Sequence, residues 1–384
     1  MDLLERLPSP YLTEEHEAFR ASLRRFIEKE IEPYVSAWDE AGTFPRDLYR
    51  KAADIGLLGI GFPEEYGGTG GDLFHAMVGA EELGRVGAGG LTASLLSHTI
   101  GAPPIRNVGN DEQKEKYLPP ILAGEMISAL AITEPSGGSD VANLQTTAVR
   151  DGDHYVVNGS KMFITSGMRA DLYTVAVRTG EPGMGGISLL LIERDTPGFT
   201  RTPLEKMGWW ASDTAALYFD DCRVPAENLL GAENAGFPAI MLNFNSERIG
   251  MASGCIAASR TCFNEVVEYA KERMVFGRPL SHKQVVRHKL VQMAQAINTS
   301  QAYLDHVAWR ISRGEQPVAD ICMLKNQATE TMELCAREGV QIMGGAGFMR
   351  GPKVERIYRE VRVNAIGGGA EEIMRDLASR QLGI

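Results

Sequence analysis

The spacing of apolar residues changes twice along the chain, and that double change restricts the fold more than any other feature. Up to about residue 122 the spacing is helical: Phe19, Leu23, Phe26, Ile27 and Ile31 recur at intervals that line one helix face before Pro33 stops the run. Gly42 and Pro45 break the pattern, and a second helical run then leads to Gly56. Short strand-like runs take over at 127–133, 146–149, 155–157, 172–177, 187–192 and 216–219, with Asp151-Gly152 and Asn158-Gly159 beside them as turn signals. From about Gly236 long helical patterns return, as in Val266, Tyr269, Ala270 and Met274, then Val286, Leu290, Met293 and Ile297. These are long enough to pack as a four-helix bundle. The expectation is an α+β chain in three units: an N-terminal α-helical domain over 1–122, a middle β domain over 123–232 and a C-terminal four-helix bundle domain over 233–384.

A chain of 384 residues can bury a core of that kind. Its 39 basic and 50 acidic residues leave a net charge of −11, with the basic groups scattered. That balance repels phosphate backbones and argues against a nucleic-acid partner. Cys222, Cys255, Cys262, Cys322 and Cys335 form no CxxC pair and read as reduced, packed thiols in a reducing compartment. The first ten residues carry neither a signal-peptide nor a transit pattern. Residues 86–105 are uncharged up to Ile105, but their polar residues, glycines and the Pro103-Pro104 pair mark a core helix and loop, not a membrane span. His16, His75, His98, His154, His282, His288 and His306 show no recognised ligand motif, so no metal is expected.

Glu247-Arg248 is the only charged pair between Glu233 and Arg260, set among Phe237, Ile240, Met241, Leu242, Phe244, Ile249, Met251 and Ile256. A carboxylate on so apolar a helix must be paired, neutralised or put to use. A structural ion pair is one reading. Adjacent helix residues point about 100° apart, however, so these two do not neutralise one another fully.

Two further segments bear chemistry. Ala131-Ile132-Thr133-Glu134-Pro135-Ser136-Gly137-Gly138-Ser139-Asp140 leaves a strand for a Gly/Ser-rich loop, either a plain turn or a cradle of N–H groups and hydroxyls for a polar ligand. Lys161-Met162-Phe163-Ile164-Thr165-Ser166-Gly167 reads as a further strand with Phe163 and Thr165 on one face. A ring beside a hydroxyl suits a flat heteroaromatic ligand, although Phe163 can equally pack on the core.

These segments, with Arg273-Met274-Val275-Phe276-Gly277, Gln284, Gln341-Ile342-Met343-Gly344-Gly345, Gly56-Leu57-Leu58-Gly59 and Pro63-Glu64-Glu65-Tyr66-Gly67-Gly68, resemble the acyl-CoA dehydrogenases over nearly the whole chain. Asn143, Gly351 and Ala370 depart from the usual signatures. The resemblance implies a homotetramer whose middle domain is β-barrel-like, and it implies FAD. Ile132, Thr133 and Ser139 would line the flavin, and Phe163, Ile164 and Thr165 would lie at its ring. Arg273, Phe276, Gln284, Gln341, Gly344 and Gly345 would reach the FAD of a neighbouring subunit. An Arg beside a pyrophosphate is physically sensible, because its fork pairs with anionic oxygens.

In many members the catalytic Glu precedes a Gly in the C-terminal loop, and Gly368 stands at that position here. Another branch, similar to the isovaleryl-, long-chain and citronellyl-CoA dehydrogenases, carries the base on the bundle helix directly before an Arg, and Glu247 matches it. The implied reaction is α,β-dehydrogenation of a medium/long-chain or branched acyl-CoA to the trans-2-enoyl-CoA. Glu247 would be the base and the backbone of Gly368 would help hold the thioester oxygen. Ser139, Asn245, Arg248 and Gly369 would contact substrate. An electron-transferring flavoprotein would accept the electrons, and the location would be cytoplasmic, or the mitochondrial matrix for a mature eukaryotic form. The rival classes are a flavin-dependent monooxygenase or oxidase on the same fold, and a non-catalytic scaffold.

Overall fold

The structure is a computed structural model, and it describes residues 4–384 apart from the side chain of Asn243. The N-terminal helices are α1 (Glu14–Glu30), α2 (Val35–Ala41), α3 (Asp47–Asp54), α4 (Leu73–Gly84), α5 (Gly89–Leu95), α6 (His98–Gly101), α7 (Pro103–Val108) and α8 (Asp111–Leu122). Both expected breaks are present: α1 ends before Pro33, and α2 ends at Gly42 in the left-handed conformation.

The middle unit is an eight-stranded sheet of β1 (Ser128–Ala131), β2 (Thr147–Asp151), β3 (His154–Thr165), β4 (Leu172–Arg178), β5 (Ile187–Glu193), β6 (Phe199–Pro203), β7 (Thr214–Pro225) and β8 (Leu229–Leu230). The order is β6-β7-β3-β2-β4-β5-β8, with β1 added parallel to β4. Where a barrel-like unit is expected, the ladder stays open at β6 and β8. Asp151-Gly152 does turn the chain, since Asp151 pairs with His154 across a hairpin. Asn158-Gly159 does not. There the register against β7 shifts between Val157 and Gly159, so the two expected strands are one strand, β3, with a bulge. Gly159 is at φ +143°, and a Cβ there would lie 2.7 Å from the Thr146 backbone, which only glycine allows. Local turn chemistry lost to pairing with β7.

Strands β4 and β5 read as continuous apolar runs because both of their faces are covered. Tyr173, Val175, Val177, Leu190 and Ile192 join a core with Leu23, Phe26 and Leu48 of the N-terminal helices. Leu172, Ala176, Leu189 and Leu191 join a second core with Tyr117, Leu118 and Ile121 of α8.

The C-terminal unit holds α9 (Gly236–Glu272), the short antiparallel pair β9 (Met274–Val275) and β10 (Arg278–Pro279), α10 (Gln284–Ser312), α11 (Val318–Met343), α12 (Gly345–Phe348), α13 (Lys353–Ile366) and α14 (Glu371–Leu382). Helices α9, α10, α11 and α13 share a third core, as a four-helix bundle requires, and α14 packs on α11. Helix α9 crosses between cores. Its Ala239 and Ile240 belong to the second core and its Ile249, Ile256 and Val266 to the third, so Glu247-Arg248 sits where the helix leaves the sheet for the bundle. All five cysteines are free and buried, as their expected packing role requires. Among the described residues no helix is long and apolar enough to cross a membrane.

Candidate active site

Two clusters of side chains meet the chemical requirements set out above. The first is built where β1 runs out beside β3. The Ile132 carbonyl accepts from Lys161 Nζ at 3.0 Å, and the Thr133 carbonyl accepts from the Met162 N–H at 2.8 Å. Lys161 is wholly buried and also donates to Glu134 Oε1 at 2.8 Å. The Glu134 carboxylate in turn accepts from the N–H groups of Gln145 at 2.6 Å and Thr146 at 2.9 Å. Burial alone would raise the Glu134 carboxyl, but Lys161 and these donors hold it below the usual carboxylate range. Burial pushes the Lys161 ammonium down to about 8. The loop is therefore pinned from beneath, while Gly137 and Ser139 stay exposed.

Neither Lys161 nor Glu134 was expected to matter. The available signal was a lysine in a strand at a position where the alternation demands an apolar residue.

On β3 a second register shift falls between Lys161 and Ile164. Phe163 occupies it at φ +64°, a conformation rare for a bulky residue, and its ring is 66% exposed. The bulge turns Phe163 out of the sheet's packing, so the alternative of a core phenylalanine does not hold. Ile164 is buried and Thr165 half-buried. An exposed ring, a hydroxyl two residues on and a loop whose Gly137 has open space where a Cβ would stand fit a flat heteroaromatic group with a polar tail. The residues present thus fit a flavin.

The second cluster joins α9 to the turn between α13 and α14. Arg248 is buried and turns away from Glu247: its Nε donates to the Gly368 carbonyl at 3.0 Å and one terminal nitrogen donates to Asn245 Oδ1 at 3.2 Å. Among the described residues no ion pair or hydrogen bond engages the Glu247 carboxylate, which argues against the structural-pair reading. Burial raises the Glu247 carboxyl to about 7, opposed in part by Arg248 and Lys325. Met251, one turn beyond Glu247 on the same helix face, touches the turn: a Cβ on Gly368 would lie 2.8 Å from its sulfur. Gly368 is at φ +65° and Gly369 at φ +108°. No described acceptor takes the N–H of either. Gly368→Ala is expected to cost roughly 1–3 kcal/mol of stability through left-handed strain, measurable as an earlier denaturation midpoint.

The remaining expected site residues lie apart from both clusters. Arg273 ends α9, Phe276 is 95% exposed at φ +48° in the β9–β10 turn, and Gln284 opens α10 on the surface. The backbone bonds of Arg273 stay within that junction. Gln341, Gly344 and Gly345 are exposed at the far end of α11.

The histidines hold one surprise. His16, Asp72 and His75 come within ligand distance of one another, which no sequence motif signalled. The Nδ1 atoms of His16 and His75 accept the N–H groups of Thr13 (2.9 Å) and Asp72 (3.2 Å), closing the N-terminal caps of α1 and α4. Asp72 Oδ1 also lies 3.0 Å from His16 Nε2 and 2.9 Å from His75 Nδ1, so the three side chains form one polar cluster at the two caps.

Comparison with known proteins agrees with this layout. The chain matches family models described as the acyl-CoA dehydrogenase N-terminal domain (residues 13–125), middle domain (129–222) and C-terminal domain (234–383). It is 39% identical to the mitochondrial long-chain specific acyl-CoA dehydrogenase of Rattus norvegicus, across 96% of this chain and 86% of the rat protein. The solved structure of a probable acyl-CoA dehydrogenase from Mycobacterium abscessus superposes with a TM-score of 0.95 at 48% identity, covering 97% of this chain and 99% of that one. A glutaryl-CoA dehydrogenase from Mycobacterium smegmatis, solved in complex with FADH2, superposes with a TM-score of 0.91 at 28% identity, covering 97% and 96% of the two chains.

Proposed function

Because the chain belongs to the acyl-CoA dehydrogenase family, a family of oxidoreductases acting on CH–CH bonds, we propose that it converts a medium/long-chain or branched acyl-CoA to the trans-2-enoyl-CoA with Glu247 as the base. The observation that carries this is the half-buried, unpartnered carboxylate of Glu247 on the helix whose Arg248 and Met251 reach the Gly368 turn. Ile132, Thr133, Ser139, Phe163, Ile164 and Thr165 would hold FAD, which when bound would supply the two-electron acceptor for the hydride lost from the β-carbon.

Glu247 takes the proton from the α-carbon. A thioester α-proton is too weak an acid for a solvated carboxylate, so burial of Glu247 matters: it brings the carboxyl close to neutrality and strengthens it as a base. The free N–H of Gly368 donates to the thioester oxygen as negative charge builds there, and Gly369 keeps the backbone open beside it. Arg248 holds the turn through the Gly368 carbonyl and Asn245 through its amide oxygen; Asn245 and Ser139 contact the CoA arm.

Arg273, Phe276, Gln284, Gln341, Gly344 and Gly345 contact the FAD of a neighbouring subunit in a homotetramer. Exposure of Phe276 and Phe348 supports a covering partner. An electron-transferring flavoprotein reoxidises the enzyme, which works in the cytoplasm or, as a mature eukaryotic form, the mitochondrial matrix. A base on the bundle helix favours long, branched or terpenoid chains over short straight ones, and similarity to a long-chain enzyme supports that preference.

The test is anaerobic addition of straight, branched and terpenoid saturated acyl-CoAs to the FAD-loaded protein, followed by flavin absorbance. Bleaching by at least one thioester is expected, fastest with a long or branched chain. A flavin that no thioester bleaches, but that consumes oxygen when reduced, would overturn the proposal in favour of a monooxygenase or oxidase.

A further inference from the structure

Lys325 lies in the first third of α11 with its side chain wholly buried. A buried ammonium survives only with acceptors, and it has two: the carbonyls of Ala365 at 3.1 Å and Gly369 at 2.9 Å. These bracket the Gly367-Gly368 turn. Arg248 reaches the same turn from α9 and donates to the Gly368 carbonyl lying between them. Two cations from two different bundle helices thus take two carbonyls of the turn and one from the last turn of α13 that leads into it. In a planar peptide the following N–H points opposite to the carbonyl, so anchoring the Gly368 and Gly369 carbonyls aims the N–H groups of Gly369 and Ala370 away from the anchoring cations.

We infer that Lys325 is a positioning residue for the proton-transfer step, tying the Gly368 turn to the bundle with a positive charge that acts on Glu247 through space. The inference rests on the reading of Glu247 as the base. No hydrogen bond joins Lys325 and Glu247, so the influence acts through space and through the shared turn. The charged and titratable groups gathered around Lys325 are Glu247, Arg248 and Cys255 of α9, Cys322 of its own helix, Arg362 of α13 and Glu371 of α14. Burial brings the Lys325 ammonium down to about 8 while Glu247 is raised to about 7, so the lysine remains mostly charged where the carboxyl ionises. Its charge favours the carboxylate, the form that accepts a proton. Without that charge a larger share of Glu247 is protonated and inactive at neutral pH.

The experiment follows the carboxylic-acid C=O stretch of Glu247 by infrared difference spectroscopy against pH in the FAD-loaded, full-length enzyme, with Glu247→Gln identifying the band. In Lys325→Met the midpoint is expected to rise by about one pH unit, with flavin bleaching near neutrality slowed about fivefold and restored at correspondingly higher pH. Lys325→Gln keeps a donor for one carbonyl but no charge. It is expected to shift in the same way, and it guards against a Lys325→Met that does not fold. Lys325→Arg is expected to titrate as the wild type. A lysine of purely structural value would lower the melting temperature and leave the midpoint in place, and an unmoved midpoint in the folded charge-free variants overturns the inference. The two readings fail separately. If Glu247→Gln still bleaches, the base is wrong although the Lys325 shift remains measurable. If Glu247→Gln is dead and the midpoint is unmoved, only the role of Lys325 falls.

Discussion

Glu247→Gln is expected to slow substrate-dependent flavin bleaching by about 10²–10⁴-fold, the range general-base catalysis contributes. Glutamine keeps the size and polarity of the side chain but cannot take a proton. Glu247 makes no hydrogen bond or ion pair among the described residues, so the substitution breaks nothing structural, and flavin content and melting temperature should stay at wild-type values. The pH profile carries the same information with a definite sign. The base works ionised, and burial places its carboxyl at about 7. The rate of bleaching should therefore rise with pH through neutrality and level off above it, falling about tenfold for each pH unit on the acid side. That limb should be missing from the residual activity of Glu247→Gln. Stopped-flow absorbance across pH measures both. A variant that bleaches at the wild-type rate, or a wild-type profile flat through neutrality, would exclude Glu247 as the base.

The helical, strand and helical order was legible because each period is imposed by burial over many residues. The paired burial of β4 and β5 shows in their unbroken apolar runs. The bulge at Asn158-Gly159 was not legible, because a local turn preference reads the same whether or not β7 lies alongside to pair with it. Glu247 stood out as an acidic group on an apolar helix. What its carboxylate does could not be read from the sequence, since that depends on Arg248 choosing the Gly368 carbonyl, 120 residues away. Lys161 and Lys325 were overlooked for a related reason. A lysine is ordinarily a surface residue, and only the assembled structure shows that each of these two has been drawn inward by carbonyl acceptors on other segments, joined for Lys161 by a carboxylate. Three of the residues that organise the site, Lys161, Glu134 and Lys325, act on backbone, and side chains that hold backbone leave no short motif.

Lys161→Met should cost the fold about 3–5 kcal/mol, the range for breaking a buried ion pair from one side. Methionine fills much the same space, so the loss is electrostatic. It leaves the Ile132 carbonyl without its donor and the Glu134 carboxylate buried without its cation. Glu134 keeps the N–H groups of Gln145 and Thr146, which places the loss toward the lower end of that range. The effect should extend to the cofactor, because the same lysine fixes the carbonyl of Ile132, the first residue of the proposed flavin loop. The variant should release FAD on dilution more readily than the wild type. A second substitution separates charge from anchoring. In Lys161→Met with Glu134→Gln the residual charge is gone, but Gln145 and Thr146 donate to different carboxylate oxygens and the single amide oxygen can accept from only one of them, so part of the stability should return. In Lys161→Met with Glu134→Leu those two N–H groups lose their acceptor, and stability should remain low despite the apolar pair. Denaturation midpoints of the three variants, measured with added FAD and without it, decide the matter. If Lys161→Met unfolds at the wild-type midpoint, the pair does not support the loop.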